Sequence, residues 1–134
     1  MAPAIKIKWD FGYQIDAAPR VGLNKPEIEV DVYDVAKVAL TAAGGSGPTA
    51  DLEIQPLPGA DKVKFLVVSS DEYADTLTYK VDADTTDYKL NGPLVLIGSG
   101  ALAFIGTTSP KKLAFTNGHT KAVNLTVVAG RTKS

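Results

Sequence analysis

Apolar side chains recur at every second position along this chain, and that two-residue period restricts its fold more than any other feature. Ile5, Ile7 and Trp9 alternate with Lys6, Lys8 and Asp10, and Ile28, Val30 and Val32 alternate with Glu27, Glu29 and Asp31. Leu77, Tyr79 and Val81 do the same among Thr76, Thr78 and Lys80. Successive side chains of a strand point to opposite faces, so each run predicts a strand with one buried face. Leu52 and Ile54 make a shorter run, stopped by Pro56 and Pro58, and Val123, Leu125 and Val127 make another within Ala122–Ala129. Val63–Ser70 (VKFLVVSS) is continuously apolar, as a central strand covered on both faces would be. Val35–Ala43 (VAKVALTAA) fits a short helix through its alanines, but the β-branched Val35 and Val38 favour a strand continuing from Tyr33.

Between these runs lie turn signals: the loop Asp16–Pro26, the flexible turn Gly44–Pro48, and turns at Gly59–Asp61, Asp71–Asp75, Asp82–Asp87 and Thr107–Pro110. Two pairings are expected. Val63–Ser70 should form a hairpin with Leu77–Val81, and Asn117-Gly118, the strongest short hairpin signal, should join Leu113–Phe115 to the last strand. Gly130–Ser134 reads as a basic tail. About nine or ten short strands, with no amphipathic helix, predict an all-β protein: a single-domain antiparallel β-sandwich or jelly roll spanning residues 1–134.

Leu90–Gly106 (LNGPLVLIGSGALAFIG) is the most apolar segment and carries no charge. Its two apolar runs, joined through Gly98-Ser99-Gly100, predict two buried strands meeting at a tight turn. Leu94, Leu96, Leu102 and Phe104 are expected to anchor either the core or a subunit contact. The segment is too short and too broken by glycine to span a bilayer as a helix. MAPAIKIKWD alternates rather than pairing basic residues with an apolar run, so no signal peptide is expected, and synthesis would be cytoplasmic.

Charge is divided unevenly along the chain. Residues 1–87 hold all 15 acidic side chains and 8 basic ones, a net of −7, whereas residues 88–134 hold no acidic and 6 basic ones, a net of +6. Either the two parts pair within one sheet system and neutralise each other, or the molecule has an acidic and a basic face that can stack head to tail.

Catalytic chemistry finds few candidates. The absence of cysteine excludes disulfides, thiolate nucleophiles and cysteine-ligated metals. The one histidine, His119, follows Asn117-Gly118 in an expected turn, which suits a solvated polar residue better than a triad member or a zinc ligand. Gly98-Ser99-Gly100 has Ala103 where a dinucleotide loop needs its third glycine, and Gly44–Thr49 lacks the Gly-Lys-Ser/Thr of a phosphate loop, so both read as turns. Asp82, Asp84 and Asp87, and again Asp71, Glu72 and Asp75, are spaced to present oxygens to calcium. They lack the remaining ligands of a calcium loop and fit solvated turns. No carboxylate pair is marked as desolvated in the way glycoside hydrolysis requires. No cofactor is expected.

Trp9, Phe11 and Tyr13 share a strand parity. They either continue the buried Ile5–Ile7 face or form an aromatic platform of the kind a carbohydrate- or ligand-binding β-sandwich presents. Asn124-Leu125-Thr126 matches a glycosylation sequon but lies within an expected strand. The tail residues Arg131 and Lys133 supply too few charges for a nucleic-acid site.

Lys112–Arg131 reads KLAFTNGHTKAVNLTVVAGR. With Phe115, Thr116, Asn117, Val123, Leu125, Val127, Gly130 and Arg131 as matching residues, it resembles the closing strand pair of small structural proteins encoded by phages and prophages. The apolar, glycine-interrupted segment before it resembles a part of the same proteins. The resemblance covers about the last third of the chain and implies a virion or particle component, a capsid decoration or tail-associated protein. The expectation is therefore a non-enzymatic, self-associating structural protein whose partners are its own copies and other particle proteins, with no small-molecule substrate and no membrane. Its apolar content exceeds what one small core of short strands needs, and Leu94, Leu96, Leu102, Phe104 and Arg131 are the expected interface residues.

Overall fold

A computed structural model describes residues 5–22, 27–54, 61–107 and 110–133. The stops expected at Pro56 and Pro58, and most of the Gly59–Asp61 turn, lie outside the described residues. The alternating runs become strands: β1 (Ile5–Lys8), β2 (Gly12–Tyr13), β3 (Val21–Gly22), β4 (Glu27–Val30), β5 (Val32–Leu40) and β6 (Thr49–Glu53). They continue as β7 (Asp61–Ser70), β8 (Leu77–Val81), β9 (Tyr88–Lys89), β10 (Leu94–Ile97), β11 (Lys112–Asn117) and β12 (Val123–Lys133). The ambiguous Val35–Ala43 segment lies in β5 as far as Leu40, where Val35 and Val38 suit the pleated surface.

Two four-stranded antiparallel sheets face each other, the first ordered β10-β7-β12-β5 and the second β6-β11-β8-β9. Their facing sides make one core: Leu96, Leu66, Val68, Leu125, Val127 and Leu40 from the first sheet against Leu113, Phe115, Leu77, Tyr79 and Val81 from the second. The protein is an all-β sandwich, as the two-residue period requires. Among the described residues no helix is long and apolar enough to cross a membrane.

The strand pairing departs from the sequence expectation in one systematic way. From β5 onward every connection except β8–β9 carries the chain across to the other sheet. The expected hairpin of Val63–Ser70 with Leu77–Val81 does not form: β7 pairs with β10 and β12, and β8 pairs with β9 and β11. Asn117-Gly118 is no hairpin turn either, since β11 lies between β6 and β8 while β12 lies between β5 and β7. A two-residue type I′ turn needs positive φ at both positions, and neither Asn117 nor Gly118 is among the positive-φ residues. Gly130–Lys133, expected as a basic tail, continues β12 against β7.

The glycine-rich segment is also corrected. Leu94–Ile97 is a strand, but Gly98 turns the chain with φ 90°, and Ser99–Leu102 and Ala103–Ile105 then form one α-turn and one 3-10 turn. Strand parity would place Leu102 and Phe104 on one face, whereas two residues along a helix are separated by about 200°. Leu102 and Ile105, three apart, are therefore buried in the core, while Phe104 is 83% exposed.

A third layer sits on the outer side of the first sheet. β1 and β4 pair with Lys6 opposite Glu29 and Lys8 opposite Glu27, and Ile7 and Val30 reach down onto Gly130 of β12. A Cβ at position 130 would lie 2.7 Å from Ile7 Cδ1 and 3.0 Å from Val30 Cγ1, so a larger residue there has to push the ribbon's side chains aside. Trp9 and Phe65 pack beside it with ring centroids 6.4 Å apart. Replacing Gly130 with valine should cost about 1–3 kcal/mol of stability through overpacking, despite valine's better strand propensity; urea denaturation would show a lowered midpoint.

Tyr79 stacks on Tyr88 at 5.4 Å and tilts against Phe115 at 6.3 Å. Burial, and then the neighbouring Tyr88 hydroxyl, push its phenol up to about 12. The unfolded chain loses that proton near pH 10, so the folded state alone retains it between about pH 10 and 12 and stability falls as pH rises through that window. Denaturant titrations at about pH 9 and about pH 11.5 should show a smaller alkaline loss in Y79F than in the wild type.

Candidate interaction surface

The first sheet's outer face is organised by register. Val35 of β5 lies opposite Val128 of β12, Val128 opposite Val67 of β7, and Val67 opposite Val95 of β10, so four valines cross the sheet in one row. The adjacent row runs Tyr33, Gly130, Phe65 and Ile97, and the β1–β4 ribbon covers it at Gly130 and Phe65. The ribbon leaves the β5 end open: Val35 is 56% and Tyr33 49% exposed. Asp34, between them in sequence and on the opposite face, is exposed too, whereas Val38 and Leu40 further along that face pack into the core. Among the described residues β5 pairs only with β12, which makes it a nine-residue edge strand.

On the other side of the valine row lies a shallow cleft of about 560 Å³ lined by residues that include Lys37, Thr126, Ser69, Asn124 and Asp71. Its carboxylate is already engaged. Asp71 accepts the Asn124 backbone N–H at 2.8 Å and its Nδ2 at 2.9 Å, and the backbone bond above all holds its carboxyl below the usual range. Ser70 Oγ accepts the Glu72 N–H. Asp71 and Ser70 in the cleft thus fasten the β7–β8 connection.

The acidic clusters singled out from the sequence are occupied in the same way. Asp82 Oδ1 accepts the Lys111 and Lys112 N–H groups, Asp84 Oδ1 caps Thr86, and Asp87 pairs with Lys80 at 2.7 Å. Asp75 accepts Asn91 Nδ2, and Glu72 pairs with Lys121. Among the described residues no three histidine or carboxylate groups gather as a metal site would require. His119 contributes its backbone: its N–H donates to Asn117 Oδ1 and its carbonyl accepts from Ala43.

The expected interface residues divide into separate environments. Leu96 and Leu102 are buried within the sandwich core, and Leu94 packs partly buried against it. Arg131, expected in a free tail, is a buried strand residue whose guanidinium donates to Asp34 Oδ2 and to the Ile54 carbonyl between the sheets. Phe104 alone of the five stands in solvent. The aromatic platform does not form at Trp9, which is half-buried on Phe65 with its indole N–H enclosed; Phe11 is half-buried as well. Nothing in the sequence periodicity marks Tyr33 and Val35 as exposed, because their exposure follows from the β1–β4 ribbon leaving the outer face of β5 uncovered there.

Asn117 is a buried polar side chain that links several connections. Its Nδ2 donates to the Thr41 and Lys121 carbonyls, each at 2.9 Å, and its Oδ1 accepts the His119 N–H at 2.9 Å. The β5–β6 and β11–β12 crossings are thereby tied at one end of the sandwich, next to the cleft's strands. N117A should lose about 1–3 kcal/mol because it removes three hydrogen bonds made by a buried side chain; a lowered thermal midpoint measures it.

No family profile, curated protein or solved structure matches the chain.

Proposed function

We propose that this protein is a non-enzymatic structural component of a phage-like particle, a capsid decoration or tail-associated protein, that works by associating with its own copies. The observation carrying the self-association is the exposed β5 end of the valine row. Val35 and Tyr33 are presented from a nine-residue edge strand held by β12 rather than from a loose loop. Exposed apolar side chains on a rigid sheet edge serve association, and single domains otherwise blunt such edges. Phe104, 83% exposed on the turn after β10, adds a second apolar contact point. The particle setting rests on the resemblance of Lys112–Arg131 to phage structural proteins. In the fold this stretch forms two strands in different sheets rather than one closing pair.

Size-exclusion chromatography with light scattering over a range of concentrations tests the reading. The expected result is a mass rising above the 14.1 kDa of one chain as concentration rises, with assemblies visible by electron microscopy. A 14.1 kDa species at every concentration and salt would overturn it.

A further inference from the structure

Resting on that self-association reading, we infer that two copies join edge to edge through β5, antiparallel about a two-fold axis at Val35, to make a continuous eight-stranded sheet. An antiparallel pair related by a two-fold places like faces together, so the axis must lie between the strands where one residue faces its own symmetry mate. The sequence of β5, VYDVAKVAL, discriminates among the choices. An axis at Asp34 or at Lys37 brings like charges face to face, which is unfavourable directly across a strand pair. An axis at Ala36 sets Val35 against Lys37 and ends the apolar row on a charge.

An axis at Val35 meets neither objection. On the outer face Val35 lies opposite the second copy's Val35, and the row Val95-Val67-Val128-Val35 continues unbroken into the same row of the second copy. Tyr33 of each copy lies opposite Lys37 of the other, an aromatic–cation pairing. On the inner face Asp34 lies opposite Ala36, which leaves its pairing with Arg131 in place. The edge is suited to the role: no proline interrupts β5, its pairing with β12 shows no register shift, and Tyr33, Asp34 and Val35 are all exposed. Strand addition of this kind supplies main-chain hydrogen bonds along the edge, with the side-chain rows fixing the register.

The absence of cysteine makes the test direct. Oxidation, or a short bis-maleimide, should convert V35C into a covalent dimer, and Y33C mixed with K37C should crosslink where neither does alone. T116C, exposed on the second sheet, should stay monomeric under the same treatment. V35K sets lysine against lysine at the axis and should weaken association at least about tenfold, with an unchanged thermal midpoint at concentrations where the wild type is monomeric, because position 35 is exposed. If the wild type associates while V35C does not crosslink and V35K associates equally well, the edge pairing is wrong and self-association stands through another surface. If the wild type is monomeric throughout, both readings fall.

Discussion

The placement of β12 between β5 and β7 is the constraint from which the rest of this sandwich follows. It is the longest strand, eleven residues, and both its edges are filled: β5 along Val32–Leu40 and β7 along Asp61–Ser70. With both edges taken, β11 cannot fold back on β12 as a hairpin and must cross to the other sheet, where it fills the gap between β6 and β8. The register shift between Gly130 and Arg131 is a further consequence. It lets Val63 and Leu66 both be buried in the core although they are three residues apart on one strand.

The same arrangement interleaves the acidic front of the chain with its basic end. β12, from the basic part, is flanked by two strands from the acidic part, and β11 likewise lies between β6 and β8. Lys112 reaches Asp51, Lys121 reaches Glu72, and Arg131 reaches Asp34. The exposed pairs among these contribute little each, about 0–1 kcal/mol. Arg131 differs, being enclosed between the sheets with a carboxylate and a carbonyl as acceptors. Charge separation in the sequence thus becomes pairing across strands, leaving the apolar end of the valine row as the more distinctive surface.

Much of the strand content was legible because burial on one face imposes a period of two, and Ile5–Trp9, Leu77–Val81 and Val123–Val127 carry it plainly. The partners of those strands were not legible. Asn117-Gly118 is a strong local hairpin signal, but a buried asparagine side chain that satisfies two carbonyls on neighbouring connections serves a crossing equally well. Leu102 and Phe104 depart from strand parity for a related reason. Five apolar residues fit a strand or a helical turn alike, and the positive φ at Gly98 selects the turn.

The sequence by itself determined that the chain builds sheets around an alternating core, that it has no thiol chemistry, and that its carboxylate clusters fall in turns. Only the tertiary structure decided which strand lies at an edge. That choice depends on pairings between residues far apart in the chain, such as Val35 with Val128 and Val128 with Val67, whose local patterns would suit other partners as well. The tertiary arrangement likewise decides that Val35 and Tyr33, on the outer face of one edge strand, meet solvent while Leu96, on the core face of the other edge strand, does not.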